Sequence, residues 1–178
     1  MYPFLRMANE VRRFRKAAPL ALTEAHVSHH RCWPWDIDMW MELNNGRTLT
    51  LYDLGRIPMA RRLGLIDAIR RRGWGLTVAG SCVRYRRRIR TFETFEMRSR
   101  AVGADHRFLY LEQSIWKPSG ECANHAMYRT AVTGPNGIVP PAEVAAEMGI
   151  AEMPTLPDYF QAWIAAEDAR PWPPTPGG

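Results

Sequence analysis

The spacing of apolar residues is helical in the N-terminal part of the chain and alternating in the middle, and this change defines the predicted elements. Residues 1–19 carry apolar side chains three or four positions apart among arginines, which predicts a short basic amphipathic helix ended by Pro19. Its apolar positions are Phe4, Met7, Val11, Phe14 and Ala18. Residues 22–32 alternate loosely between polar and apolar side chains and predict a first strand.

The longest helical pattern extends from Asn44 to Gly73. Asn44 and Asn45 are favoured N-cap residues and place the start of this helix. Its apolar positions are Leu49, Tyr52, Leu54, Ile57, Leu63, Ile66 and Ile69. Gly55 and Pro58 lie inside the pattern, so we expect an interruption there, as a kink or as the first turn of a second helix.

After Gly75 the pattern alternates between apolar and polar residues, which is typical of strands. It predicts four strands separated by turn-forming residues, at 77–89, 94–102, 108–116 and 123–132. The short connections between them favour an antiparallel meander. Two short helices are predicted at 142–148 and 157–167, and the last eight residues, rich in proline and glycine, are expected to fray. Together the elements predict an α+β fold, with one main helix laid across an antiparallel sheet of about five strands.

The chain has 178 residues, the length of a single folded domain. We divide it into an N-terminal basic helix at 1–20, the main domain at 21–150, and a C-terminal helix with a proline-rich tail at 151–178. No apolar run approaches the ~18 residues that a membrane span requires. Arginines interrupt the apolar residues at the N-terminus, unlike in a secretory signal. We therefore expect a cytoplasmic protein.

The formal net charge is +6, and nearly all of the positive charge comes from arginine. A basic chain suits an acidic partner, such as a nucleic acid, a lipid surface or a phosphorylated small molecule. Residues 4–18 have the pattern of a helix that makes weak contact with an anionic membrane surface. The modest length of this helix favours packing on its own domain or on a second subunit instead.

The cysteines and histidines do not form a metal-site pattern. Cys32, Cys82 and Cys122 are odd in number and widely spaced, which argues against a disulfide framework and against a zinc site. Cys82 and Cys122 fall within predicted strands, so we expect both to be buried packing residues. Three histidines lie close together in the sequence, at His26, His29 and His30. They lack a cysteine or carboxylate at ligand spacing, so no metal is expected.

Residues 36–47, Asp-Ile-Asp-Met-Trp-Met-Glu-Leu-Asn-Asn-Gly-Arg, contain the most informative motif of the chain. Asp38 lies six residues before Asn44, and Asn44-Asn45 opens the predicted central helix. This arrangement resembles the hotdog-fold acyl-CoA thioesterases of the 4-hydroxybenzoyl-CoA thioesterase-like branch. In that family an aspartate follows the first strand, and an Asn-Asn pair opens the long helix six residues later. The similarity covers roughly residues 22–134 and includes the segments Asp-Leu-Gly-Arg at 53–56 and Arg-Leu-Gly-Leu at 62–65.

The resemblance implies a hotdog fold, in which the sheet wraps around one long central helix, and hydrolysis of an acyl-CoA to a free acid and a thiol. Coenzyme A is then part of the substrate, and no separate cofactor is expected. The resemblance also implies a homodimer or a dimer of dimers, with the sheets joined edge to edge and the sites at the interface. The chain departs from the family at Met41-Glu42, where members commonly carry Gly-His, so a carboxylate replaces a histidine that orients or carries a proton.

Thioester hydrolysis needs a base or nucleophile and hydrogen-bond donors for the developing oxyanion. The resemblance assigns the first role to Asp38. The donors are backbone N–H groups near Asn45, Gly46 and Arg47, because a helix leaves its first four N–H groups unpaired. Asn44 and Arg47 are expected to contact the substrate. The alternative is that Asp38 caps a turn and that Asn44-Asn45 is only a capping pair.

The side chains around Asp38 leave further alternatives open. Glu42 lies four residues later, where it either shares a proton with Asp38 as the acid or is a surface residue near the positive end of the helix. Three tryptophans flank the motif, at Trp33, Trp35 and Trp40. They either bury the site, which raises the pKa of a carboxylate, or are core or interface residues.

Arg84, Arg86, Arg88 and Arg90 alternate along a predicted strand, so all four are expected on one face, with Tyr85 on the other. Such a row suits the phosphates of coenzyme A. The alternative is a solvated sheet end or an edge protected against aggregation. A nucleic-acid surface would carry aromatic side chains on the same face, so no nucleic-acid partner is expected.

The sequence therefore predicts an acyl-CoA thioesterase. A non-catalytic hotdog module that binds acyl-CoA or acyl-carrier ligands is the alternative, because of the change at Glu42. A basic RNA- or membrane-surface protein is the third possibility.

Overall fold

Within residues 2–174, which the computed structural model describes, the chain forms five α-helices and six strands. The helices are α1 (Phe4–Arg13), α2 (Asn45–Arg62), α3 (Leu65–Arg72), α4 (Pro141–Glu147) and α5 (Asp158–Ala169), and a 3-10 turn spans Pro34–Asp36. The strands are β1 (His26–Arg31), β2 (Gly75–Tyr85), β3 (Thr94–Ala104), β4 (Leu109–Trp116), β5 (Cys122–Gly134) and β6 (Gly137–Val139). None of the helices in this range is long and apolar enough to cross a membrane. The predicted α+β content is confirmed, and the predicted fraying of the tail falls partly on residues 175–178, outside the described range.

The strands form one antiparallel sheet in the order β1-β3-β4-β5-β2, and the short β6 pairs with β5. Only β3, β4 and β5 form a meander, so the expectation that β2 belongs to it is wrong. The reason lies at β1, which pairs with residues 94–99 of β3 and occupies the edge that β2 would need. β2 pairs with β5 instead and ends the sheet on the opposite side.

α2 crosses the inner face of the sheet as one continuous helix of 18 residues, so the expected interruption at Gly55 and Pro58 is wrong. Gly55 lies so close to β3 that a Cβ atom there would be 2.5 Å from the Ser99 hydroxyl. Glycine thus lets the helix approach the sheet. Pro58 removes one intrahelical hydrogen bond, and burial of the surrounding helical face offsets that loss. The helix ends at Arg62, and Gly64, with a φ of 82°, separates it from α3.

The main core lies between α2 and the sheet. Its largest members are Leu51, Tyr52, Leu54, Met59, Phe95, Met97, Ile115 and Tyr128. Burial of a large apolar side chain contributes ~1.5–3 kcal/mol, so this face holds α2, and with it the start of the helix, in a fixed position over the sheet. α5 covers part of the opposite face, where Phe160 packs near Tyr110.

α1 packs against α2 and the loop that follows β1, so packing on its own domain is confirmed. Met7 packs on the main core as predicted, but the buried side of the helix is rotated, because Phe4 is 71% exposed and Glu10 only 5%. An ion pair between Arg6 and Asp36 accounts for this rotation. Arg6 and Glu10 are four residues apart and therefore share one helical face. The helix ends at Arg13, before the proline expected to end it.

β2 is an edge strand without a single buried residue. Cys82 is therefore exposed, and Cys122, at the start of β5, is half-buried, so the expectation that both are buried is wrong. An edge strand leaves a row of backbone N–H and C=O groups without a strand partner. In the part of the chain that the structure describes, this row is the most extended surface open to a further strand.

Candidate functional site

The loop between β1 and α2 is fastened to the segment between β2 and β3 by backbone hydrogen bonds. Cys32 N donates to Glu93 O at 3.0 Å, and Leu43 N donates to Ile89 O at 2.8 Å. The Asp38 loop and the arginine-rich segment after β2 are therefore neighbours in space. The structure brings together the two regions to which the sequence assigns chemistry.

Asp38 is half-buried and begins a tight turn. Its Oδ1 accepts a hydrogen bond from Trp40 N at 2.8 Å, and its N–H donates to Glu42 O at 2.9 Å. Met41, with a φ of 58°, closes the turn by donating its N–H to Asp38 O at 3.1 Å. The carboxylate therefore caps a turn, as the alternative interpretation has it, and the same contacts hold it in one orientation.

Glu42 directs its carboxylate to Arg88, whose Nε lies 2.9 Å from Glu42 Oε2. Within the described residues no side-chain hydrogen bond joins Glu42 to Asp38. The carboxylate that replaces the family's histidine thus serves as the ion-pair partner of an arginine. The two expected roles, an acid that shares a proton with Asp38 and a surface residue near the positive end of the helix, stay predictions beside this contact.

The tryptophans do not bury Asp38. Trp35 is 67% exposed and Trp40 is 71% exposed. Trp33 stacks on Trp35 with ring centroids 5.5 Å apart, and the Phe92 ring lies nearly perpendicular to Trp33 with centroids 6.1 Å apart. Of the two alternatives left open, packing of the rings on one another therefore describes Trp33 and Trp35 better than burial of Asp38.

The N-terminus of α2 is capped by Asn44. Its Oδ1 accepts a hydrogen bond from Arg47 N at 3.0 Å, and its carbonyl accepts one from Thr48 N at 2.8 Å. The N–H of Arg47 is thus occupied, which corrects its expected role as an oxyanion donor. Asn45 and Gly46 precede the first intrahelical hydrogen bond and are exposed, so their N–H groups remain for a ligand.

Asp36 is the buried carboxylate of this region, with 0% exposure, and the sequence analysis did not assign it a role. Its Oδ2 accepts from Arg6 Nη1 at 2.7 Å and from Trp33 N at 3.1 Å, and its Oδ1 accepts from Arg47 Nε at 2.7 Å. Asn44 N also donates to Asp36 O at 3.0 Å. Asp36 thus joins α1, the 3-10 turn and α2. The Trp33-to-Asp36 spacing of a capping pair is the only local signal for this role.

An apolar cleft of about 1000 Å³ opens between the N-terminal segment and α2. Its apolar lining includes Phe4, Leu5, Trp35 and Ile37, and Asn44, Arg47 and Thr50 line it along α2. A cleft of this volume matches the upper range of small-molecule sites. It lies beside the start of α2.

A second, basic cleft of about 160 Å³ lies on the other side of that start. Its lining includes Glu42, Asn45, Tyr85, Asn124 and the consecutive residues 86–88. Tyr85 donates its hydroxyl to Asn45 O at 3.2 Å, which holds the end of β2 against α2.

The predicted row of four arginines on one strand face is wrong, because β2 ends at Tyr85. The chain then bends, and the N–H groups of Arg86 and Arg87 both donate to Ala123 O, at 2.8 and 3.0 Å. Arg86 and Arg88 line the basic cleft, together with Arg87 between them. Arg84 lies on the strand and does not line this cleft.

A buried polar network, which the sequence patterns did not predict, lies beneath α2. Arg56 is 8% exposed, pairs with Asp53, and donates from Nη1 to Gln113 Oε1 at 3.3 Å. Its guanidinium lies 4.5 Å from the centre of the Tyr128 ring. Gln113 Nε2 donates in turn to Ser99 Oγ at 2.7 Å. The spacing of three residues between Asp53 and Arg56 was the available signal. The network fixes the rotation of α2 over the sheet.

The two inward-facing histidines of β1 are packing residues. His26 lies 3.1 Å from Arg62 Nη1, and burial, followed by the charge of Arg62, lowers the pKa of His26 to about 4. His30 contacts Ser28 Oγ at 2.9 Å, and burial lowers its pKa to about 3. Both are therefore neutral near pH 7. Among the residues that the structure describes, no three His, Cys, Asp or Glu side chains converge as a metal ion would require.

The chain is similar in sequence to a known protein family and to proteins from other organisms. The sequence profile of the thioesterase-like superfamily matches residues 32–164. Protein THEM6 of Xenopus laevis is 32% identical over 139 residues, a match that covers 76% of this chain and 65% of THEM6. The chain therefore spans less than two thirds of that relative's length.

Solved structures share the fold. A Lactobacillus plantarum protein described as an oleoyl thioesterase superposes with a TM-score of 0.66 at 18% identity, covering 77% of this chain and 55% of that one. SAV2348 of Staphylococcus aureus, solved in complex with CoA, has a TM-score of 0.53 at 10% identity, covering 84% and 87%. These similarities confirm the hotdog fold, an antiparallel sheet curled around the long helix α2. The chain belongs to the thioesterase-like superfamily.

Proposed function

We propose that the protein hydrolyses acyl thioesters of coenzyme A. The observation that carries this proposal is the start of α2, which bears the exposed N–H groups of Asn45 and Gly46 and whose residues line both the apolar cleft and the basic cleft. A thioester carbonyl placed there would meet two donors and the positive end of the helix dipole, both of which favour an oxyanion. Membership of the thioesterase-like superfamily supports the same chemistry.

In this proposal Asp38 acts as general base or as nucleophile. As a base it takes a proton from water while the water oxygen bonds to the thioester carbon, and the carbonyl oxygen becomes an oxyanion. The oxyanion collapses, the C–S bond breaks, and the thiolate leaves and takes up a proton. As a nucleophile, Asp38 displaces the thiolate to form a mixed anhydride that water hydrolyses. The Trp40 N–H orients the carboxylate for either role.

The basic cleft suits the phosphates of coenzyme A. Arginine forms paired hydrogen bonds with phosphate oxygens, and Arg86 and Arg88 stand beside Asn45 at the start of α2. Glu42 neutralises Arg88 in the free protein, so Glu42 sets how strongly that arginine attracts an anion. The CoA complex of SAV2348, which has the same fold, supports coenzyme A as the thiol carrier.

We also propose that two copies of the chain pair through β2. The strand has no buried residue, and its apolar side chains Val78 and Tyr85 are 45% and 40% exposed. A second β2 would satisfy the open row of backbone groups and cover these side chains. The partner copy would then approach the basic cleft, which begins at Tyr85.

Release of free thiol from a panel of acyl-CoA esters tests the hydrolysis. Asp38→Asn keeps an acceptor for Trp40 N and removes the charge, so turnover should fall by about 100-fold or more while thermal stability changes little. Glu42→Gln is the matched control, and kcat should stay within a few-fold of wild type. If Asp38→Asn hydrolyses acyl-CoA at the wild-type rate while Asp38→Ala unfolds the protein, Asp38 is only a turn cap.

A second candidate is a non-catalytic module that binds acyl-CoA or acyl-carrier ligands. Two contacts favour it: Glu42, in place of the family's histidine, is held by Arg88, and Asp38 is engaged by Trp40. Calorimetric titration with an acyl-CoA separates the two candidates. Binding without any thiol release over hours would select the module, and turnover would exclude it.

A further inference from the structure

One wall of the apolar cleft lies outside the part of the chain that matches the family. The match covers residues 32–164, whereas Tyr2, Pro3, Phe4 and Leu5 form this wall ahead of it. Family membership therefore does not account for the wall, and its purpose has to be argued from its own contacts.

The wall is fixed at both ends. Arg6 Nη1 lies 2.7 Å from Asp36 Oδ2, and Arg6 Nη2 donates to Arg31 O at 3.1 Å. At the other end, burial and the charge and hydrogen bond of Asp53 raise the pKa of Tyr2 to about 12. α1 also packs against α2, so the N-terminal segment is held on the same helix that forms the opposite side of the cleft.

The start of α2 forms part of the lining of the cleft. Asn44 and Arg47 line it there, and the residues between them, Asn45 and Gly46, carry the N–H groups that a helix leaves unpaired. A ligand in the cleft that contacts Asn44 and Arg47 would therefore lie near these donors.

The mouth of the cleft is unusually apolar for a surface. Phe4, Leu5 and Trp35 are 71%, 88% and 67% exposed. Large apolar side chains that share one exposed patch mark a binding surface more often than a solvated one. The open volume of about 1000 Å³ behind them exceeds what a small acyl group such as acetyl needs.

We infer that the apolar cleft binds the hydrocarbon chain of a long acyl group, and that the N-terminal segment at residues 2–6 makes the protein prefer long chains to short ones. The position of the thioester rests on the proposed function, but binding of a fatty acid in the cleft does not require hydrolysis. Each further methylene group buried in the cleft should raise affinity about fourfold.

Fatty-acid binding provides the test. Octanoate and palmitate are titrated against the full chain by competition with a brominated stearate that quenches tryptophan fluorescence. Palmitate should bind at least about 100-fold more tightly than octanoate. Thr50→Phe places a ring in the cleft and should weaken palmitate binding by about 10-fold or more, whereas Thr50→Val should leave it within about twofold.

A second variant lies outside α2, so that a folding defect of α2 cannot explain weaker binding. Phe4 is exposed, so Phe4→Glu should fold normally and place a charge at the mouth, which weakens palmitate binding. Ala8→Glu is its matched control, because Ala8 is exposed on the same helix and does not line the cleft. Circular dichroism and melting temperature verify that each variant folds.

Three outcomes overturn the inference. Octanoate and palmitate could bind alike, or neither Thr50→Phe nor Phe4→Glu could weaken palmitate binding. Light scattering could instead show that these variants turn a dimer into a monomer, which would make the cleft a contact between two copies. The proposed function fails separately: if no acyl-CoA releases thiol while fatty-acid binding behaves as expected, the acyl site stands and the hydrolysis does not.

Discussion

Replacing Glu112 with glutamine would remove the central charge of a polar cluster on the outer face of the sheet. Glu112 accepts hydrogen bonds from Tyr159 Oη at 2.7 Å and from His125 Nε2 at 3.1 Å, and it pairs with Arg100. These partners come from β3, β5 and α5. One carboxylate therefore connects three adjacent strands and the helix that covers them.

The size of the effect follows from the pKa of Glu112. Burial raises it, but hydrogen bonds from His125, Tyr159 and Arg100 outweigh burial and lower the pKa from 4.5 to about 2. A pKa unit corresponds to ~1.4 kcal/mol, so a difference of about 2.5 units corresponds to about 3.5 kcal/mol. The Glu112 side chain is 17% exposed and solvent weakens its interactions, so we expect about 2 to 3 kcal/mol of this to stabilise the fold. The folded pKa is the lower one, so this stabilisation is complete above about pH 4.5 and is lost as the pH falls through about 2.

Urea unfolding followed by tryptophan fluorescence measures the effect. Near pH 7 we expect Glu112→Gln to lower the free energy of unfolding by about 2 to 3 kcal/mol, and near pH 3 we expect the difference from wild type to shrink. Glu121→Gln is the control, since Glu121 forms an exposed ion pair with Arg87 and its loss should matter little. A loss no larger for Glu112→Gln than for the control, or one that does not change with pH, would refute the reasoning.

Three further predictions concern packing, assembly and surface charge. Gly55→Ala should cost about 1 to 3 kcal/mol in urea unfolding, because its Cβ would meet the Ser99 hydroxyl, and unchanged stability would contradict the close approach of α2. Light scattering should give twice the chain mass of 20.4 kDa, and Val78→Lys on β2 should give a folded monomer; a wild-type monomer at micromolar concentration would contradict pairing through β2. Sedimentation with anionic vesicles should be salt-dependent and weakened by Arg12→Gln with Arg13→Gln, and equal binding to neutral vesicles would exclude an electrostatic membrane contact.

The features that the sequence predicted are those that depend on local contacts. The start of α2 follows from Asn44, whose side chain caps an N–H only three residues away. β3, β4 and β5 lie within two residues of the predicted strands, because each strand buries one face against α2 and so alternates in polarity. Such signals are complete within a short stretch of chain.

The wrong predictions concern features that depend on an element far away in the sequence. Gly55 interrupts a helix by propensity alone, but here it serves the approach of α2 to β3. The arginine row required β2 to continue beyond Tyr85, whereas the chain bends there toward Ala123. The order of the strands depends on the pairing of β1 with β3, and no pattern within β2 indicates that pairing.

The candidate site was predicted only in part for the same reason. Asp38, Asn45 and Gly46 are recognisable in a contiguous motif. Asp36 gains its importance from Arg6, thirty residues earlier. A pattern of polar and apolar residues predicts that a charged residue is exposed. It therefore cannot predict a buried charge whose ion-pair partner lies far away in the sequence.

The fastening of the Asp38 loop to residues 89–93 has a consequence for how the protein folds. The bonds from Cys32 to Glu93 and from Leu43 to Ile89 close long stretches of chain that contain α2, α3 and β2. Closing a long loop lowers the entropy of the chain before the contacts that it brings together can stabilise the fold. Topologies with many such loops therefore fold slowly. During synthesis on the ribosome, Asp38 and Asn45 emerge early. They cannot take up their final positions until β3 has also emerged. A fragment that stops after β2 would contain Asp38 and Asn45 but not the arginines after Arg84. It would also lack β3, the strand that completes their surroundings.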